Sequence, residues 1–130
     1  MYLLDTNICI AFLKNNTNVV KAVSQHIARC HLSAVVVAEL YKGVYCSQRT
    51  PQNLQILNEF LDLLPILDFD QAAALEFGKI QSELRQIGRP TGELDAIIAA
   101  VARSQGFILV TDNIKHFQYI ENLQIENLLL

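Results

Sequence analysis

Four carboxylates stand out by their company. Asp5 ends the short apolar run Tyr2-Leu3-Leu4, and Asp112 directly follows Phe107-Ile108-Leu109-Val110-Thr111. Glu39 is embedded in Val35-Val36-Val37-Ala38-Glu39-Leu40, and Asp95 in Leu94-Asp95-Ala96-Ile97-Ile98-Ala99-Ala100. An ionised side chain in such surroundings is costly unless it is paired or bound to a cation. Acids that converge also repel one another. A divalent cation relieves both costs, and carboxylate oxygens suit the hard ions Mg²⁺ and Mn²⁺. Such a centre lowers the pKa of a bound water and clamps a phosphodiester for in-line attack. Each acid also has a plainer explanation by itself. Asp5 can cap a helix. Asp95, with Glu93, can favour a helix dipole. Asp112 fits a Thr-Asp-Asn turn, and Glu39 needs only one solvated helix edge. Taken together, the four modestly favour a shared site, and spacing alone does not name it.

The elements that must position these acids alternate along the chain. Tyr2-Leu3-Leu4, Cys30-His31-Leu32, Pro65-Ile66-Leu67, residues 107–110 and Leu123-Gln124-Ile125 read as short strands. Asp5 or Thr6 opens a helix through Ile8, Ile10, Phe12 and Leu13 that stops at Asn15-Asn16. A second helix follows Thr17. A third starts near Ala34, with Val37, Leu40, Tyr41 and Val44 on its apolar side. Thr50 reads as the cap of a fourth, with Pro51 at its first helical position. The clearest helix spans 70–87, where Ala73, Phe77, Ile80, Leu84 and Ile87 share one face. Gly88-Arg89-Pro90-Thr91-Gly92 breaks the chain. A helix from Glu93 to Gln105 follows, expected to bury Leu94, Ile97, Ile98 and Val101 and to stop at Gly106. This alternation implies an α/β chain, a three-layer α/β/α sandwich around a mostly parallel sheet. Ligands of such sheets bind beyond the carboxyl ends of the strands, where Asp5 and Asp112 fall.

The 130 residues suit a single domain over 1–130. At 52% hydrophobic residues the chain is too apolar to be disordered. The net charge of −3 argues mildly against gripping duplex nucleic acid through a broad basic face. Setting the four acids aside, however, leaves nine against ten Lys+Arg, so the rest of the surface is about neutral. Met1-Tyr2-Leu3-Leu4 is cut short by Asp5 and makes no secretory signal, and no apolar run reaches membrane-spanning length. Cys9, Cys30 and Cys46 are odd in number and lack CxxC spacing, which suggests reduced thiols in the cytoplasm. Cys30-His31 with His26 lacks a second spaced ligand pair and reads as a buried thiol with surface imidazoles rather than zinc.

Four stretches, in order, resemble the acidic motifs of the PIN-domain family, and more closely those of VapC-type toxins of prokaryotic toxin–antitoxin pairs. They are Tyr2-Leu3-Leu4-Asp5-Thr6-Asn7; Leu32-Ser33-Ala34 through Ala38-Glu39-Leu40 to Gly43; Gly88-Arg89-Pro90-Thr91-Gly92 leading to Asp95-Ala96-Ile97-Ile98-Ala99-Ala100; and Leu109-Val110-Thr111-Asp112-Asn113 with His116-Phe117. The resemblance implies a Rossmann-like fold and a Mg²⁺- or Mn²⁺-dependent endoribonuclease. It further implies a cognate VapB-type antitoxin that blocks the site, and a homodimer. It carries Asp5, Glu39, Asp95 and Asp112 over as catalytic and metal-site acids. In the last motif either Asp112 is the fourth acid or Asn113 takes that place. Thr6, Thr111 and Glu93 are candidates to steady the carboxylates, a water or the metal. Lys42, Arg85 and Arg89 either hold the RNA backbone or are solvated cations. His26, His31 and His116 read as surface residues rather than general bases. Two other readings stand beside this one. A receiver-like signalling module would want a second acid beside Asp5 and a Lys where Asp112 stands. A catalytically silent PIN-like module, binding RNA or protein, would lose the site acids that this chain keeps.

Overall fold

Strand β1 (Tyr2–Leu4) lies at the centre of the computed structural model, which describes residues 1–127. Asp5 caps helix α1 (Thr6–Leu13), its Oδ1 accepting from the Thr6 N–H at 2.8 Å. The helix ends at Asn15, whose φ of +59° is the left-handed turn that asparagine tolerates. Helix α2 (Thr17–Gln25) follows, capped by Asn16 Oδ1 on the Val19 N–H. Strand β2 (Cys30–Ser33) runs straight into helix α3 (Ala34–Tyr45), because the buried Ser33 hydroxyl accepts from the Val36 N–H at 3.1 Å. Helix α4 (Thr50–Leu61) and strand β3 (Ile66–Leu67) complete this half.

Helix α5 (Gln71–Gln86), capped by Asp70, packs along helix α6 (Glu93–Gln105). The turn between them starts as a Schellman motif: Arg89 N–H donates to Leu84 O and Gly88 N–H to Arg85 O, with Gly88 at φ +66°. Gly106, at φ +69°, ends α6 in the same way. Strand β4 (Ile108–Val110), the one-turn helix α7 (Ile114–Phe117) and strand β5 (Ile125–Glu126) follow.

The strands pair in the order β3-β2-β1-β4-β5, and all four pairings are parallel. Leu3 and Leu4 of β1, and Leu109 and Val110 of β4, are wholly buried although neighbours in a strand point to opposite faces. Both faces of the central strands are therefore covered, as a parallel sheet between helices requires. The order reverses direction between β1 and β4, which opens a crevice at their carboxyl ends.

Several local expectations needed correction. Thr50 is the first residue of α4 and not its cap; its hydroxyl donates to the carbonyls of Val44 and Ser47. Ile87 lies beyond α5 and is exposed, as is Leu94 in the first turn of α6, while Ile97 is half-buried and Tyr41 sits at the solvent edge of α3. Helical period identifies a face, but the ends of that face bury only if a neighbour reaches them.

Candidate active site

The parallel register Leu4↔Val110 sets Asp5 level with Thr111, one residue past each strand end. Asp5 N–H donates to Val110 O at 2.9 Å, so β1 continues its pairing up to the acid itself. Thr111, fully buried, donates its hydroxyl to Asp5 Oδ2 at 2.8 Å and accepts the Asn113 N–H at 3.0 Å. Both Asp5 oxygens are thus held in place. Each still has a lone pair to offer.

Asp5 is only 5% exposed. Burial pushes its carboxyl above the ordinary carboxylate range, and the Thr111 and Thr6 hydrogen bonds pull it back in part. The negative charges of Asp95 and Glu39 push it up further. Acids from three separate segments therefore act on one another electrostatically. Glu39, half-buried on α3, accepts the Thr6 hydroxyl at 3.2 Å through Oε1, which ties α3 to the start of α1. Asp95 lies in the first turn of α6 and meets His116 Nδ1 at 3.0 Å through Oδ2. The imidazole read as a plain surface residue is half exposed, yet it touches a site acid. Nothing in the sequence signals that contact, because α7 meets α6 only through the tertiary fold. Asn7, in the first turn of α1, has a buried Oδ1 without a partner among the described residues.

The remaining candidates are placed differently. Asp112 and Asn113 are both exposed in the turn after β4; Asn113 caps α7, and its backbone rather than its side chain steadies Thr111. Glu93 is exposed at the start of α6, and positions two apart on a helix do not face the same way. Lys42 and Arg85 are exposed. Arg89 lines a cavity of about 380 Å³ that opens onto Asp95 and His116. A second cavity, about 410 Å³, is lined by residues of α1, α3 and α4, Glu39 among them.

Chemically, the inner group offers hard carboxylate oxygens, and Asp5 is destabilised as an anion; this donor set fits a divalent cation such as Mg²⁺. Among the described residues no three His, Cys, Asp or Glu side chains are drawn into a ready-made metal cluster. Glu39 is engaged with Thr6 and Asp95 with His116, an arrangement that keeps like charges apart.

A PIN-domain family model matches residues 2–122. The chain belongs to the PIN-domain family. Within that family it is similar to VapC proteins over nearly its whole length. It is 38% identical to the tRNA(fMet)-specific endonuclease VapC of Shigella flexneri over 127 residues, covering 97% of this chain and 96% of the relative. It is 39% identical to ribonuclease VapC2 of Haemophilus influenzae, with the same coverage. The fold matches that of the toxin–antitoxin complex VapBC from Salmonella typhimurium bound to DNA, with a TM-score of 0.93, 34% identity and coverage of 98% and 97%. VapBC2 from Rickettsia felis, bound to a promoter DNA fragment, gives 0.91 at 35% identity, with 97% of each chain covered. A PIN domain accounts for the all-parallel five-stranded sheet flanked by helices.

Proposed function

We propose that this PIN-domain protein is a VapC-type endoribonuclease toxin that hydrolyses RNA with Mg²⁺ or Mn²⁺ and is neutralised by a cognate VapB-type antitoxin. The observation that supports the reading is the buried carboxyl of Asp5 at the switch point of the sheet, held by Thr6 and Thr111 and subject to the charges of Glu39 and Asp95 from two other segments. The full-length similarity to proteins named as VapC ribonucleases, and to VapBC complexes, supports it. Asp5 and Asp95 would hold the ion, with Asp112 as a further ligand, and the ion would supply an activated water and neutralise charge on the phosphodiester. Thr6 and Thr111 fix the Asp5 carboxylate, so little reorganisation is left for the reaction. Glu39, whose Oε1 accepts the Thr6 hydroxyl, would accept the proton of the attacking water. A homodimer belongs to the same proposal.

The test is cleavage of RNA by the purified, antitoxin-free protein, with Mg²⁺ or with EDTA. The tRNA(fMet) named for the Shigella relative is the first RNA to try. Cleavage is expected only with the metal, and is expected to fall at least a hundredfold in Asp5→Asn and Asp95→Asn. Activity that survives EDTA, or both substitutions, would sink the metal-dependent mechanism. A lack of cleavage on any RNA, with binding retained, would favour a silent binding module.

A further inference from the structure

The cavity next to Asp95 has a second chemistry that the acids do not explain. One wall is the turn after α5, and the other runs from α7 to Tyr119. Thr91 donates its hydroxyl to the His116 carbonyl at 3.3 Å and ties the two walls together. The Arg89 guanidinium lies 4.6 Å from the centre of the Tyr119 ring, and that ring is nearly half exposed. Lys115 adds another cation to the lining, which also holds Asp95 against His116. In a chain of net charge −3, two permanent cations and an open aromatic ring thus gather beside a site acid. Cations suit a phosphate, and a planar ring braced by a guanidinium suits a nucleobase. The volume, about 380 Å³, lies in the range of small-molecule sites.

Resting on the ribonuclease reading, we propose that this cavity seats the nucleotide next to the cleaved bond. Arg89 and Lys115 contact its phosphate, and the Tyr119 ring, held by Arg89, is the stacking face for its base. Asp95 joins the cavity to the reacting centre. Specificity for the flanking base then arises here, on the Tyr119 side of the cavity.

The experiment uses the antitoxin-free protein and a fluorescein-labelled single-stranded RNA that it cleaves, shortened one nucleotide at a time from each end. Removal of the nucleotide that fills the cavity should lower kcat/KM about tenfold in the wild type. Arg89→Ala and Tyr119→Ala should each lose about as much on the longer RNA and be indifferent to that shortening. Tyr119→Phe should stay within about twofold of wild type, since the stacking face remains. An abasic residue at that position should reproduce Tyr119→Ala. Variants that keep the full wild-type response to shortening, or that lose activity equally on every RNA, would overturn the proposal. Binding is measured in parallel by fluorescence anisotropy in EDTA, without reference to cleavage. If the wild type cleaves none of the RNAs, the ribonuclease reading fails, and binding alone decides this one: weakening of about fivefold or more in Arg89→Ala supports it, and unchanged affinity overturns it. Displacement of the RNA by an equimolar decaglutamate peptide would also overturn it, in favour of an acidic protein segment.

Discussion

Asp5 does two jobs that oppose each other. It caps α1, a stabilising role, and it is a buried carboxyl beside two other acids, a destabilising one. Its folded-state pKa is raised above the ordinary 3.8, so the folded protein binds more protons than the unfolded chain between these values. Stability of the metal-free protein therefore falls as pH rises through that window, as far as Asp5 controls it. Asp5→Asn removes the charge while Asn Oδ1 still accepts from Thr6 and the amide can donate to Thr111 Oγ1. We expect the variant to be more stable than wild type in EDTA near neutral pH, by about 0.5–2 kcal/mol, and inactive. The gain should shrink as pH falls below the raised pKa, and added Mg²⁺ should stabilise wild type more than the variant. Urea melts at several pH values, with and without the metal, check all three. A variant less stable than wild type at neutral pH would show that the cap outweighs the repulsion. At this scale the sequence was informative about Asp5, Glu39 and Asp95, since each acid interrupts an apolar run. It was silent about His116, whose contact with Asp95 depends on where α7 lands.

Helix α6 carries Asp95 at one end, and its other end is anchored by an ion-pair cluster. Arg103, its side chain only 8% exposed, donates from Nε to Glu76 Oε2 at 2.7 Å and from Nη1 to Glu83 Oε2 at 2.8 Å. It also reaches the Glu121 carbonyl at 3.2 Å. The guanidinium thus links α6 to two turns of α5 and to the segment before β5. Arg103→Gln should leave half-buried Glu76 with only the exposed Lys79, 3.9 Å away, and cost about 1–3 kcal/mol, read as a lower denaturant midpoint. Activity below the melting range should remain within a few-fold of wild type, because the cluster lies away from the acids. A loss of catalysis without a loss of stability would instead mean that α6 orientation is finely coupled to the site. The α5 periodicity and the Gly88 and Gly106 stops were legible because they depend on neighbours a few residues away. The role of Thr50 was not, since its hydroxyl bonds back to the end of α3 and the turn after it.

For the whole molecule, the charge is arranged rather than merely summed. Asp5 at the switch point feels the charges of Glu39 and Asp95, while Arg89 and Lys115 line one cavity with Asp95. Single-stranded RNA held this way touches few cations. The logarithm of the binding constant should fall with the logarithm of salt concentration with a slope of about −1.4, roughly 0.7 for each of the two cationic contacts. Arg89→Ala should make it shallower by about 0.7. Anisotropy titrations at several salt concentrations measure it, and a slope steeper than about −5 would point to a broad basic face that the net charge of −3 argues against.

Composition, alternation of apolar runs and the position of each acid determined the fold class and the acids worth testing. Those properties are local: they follow from which residues are neighbours along the chain and from the period of a strand or helix. Only the tertiary structure decided that Asp5 faces Thr111, that Glu39 bonds Thr6, that Asp95 meets His116, and that Arg89 and Tyr119 line one cavity. Each of these joins elements separated in the chain. The register of β1 against β4 and the packing of α6 and α7 at the sheet's carboxyl edge set them, and no local pattern encodes either.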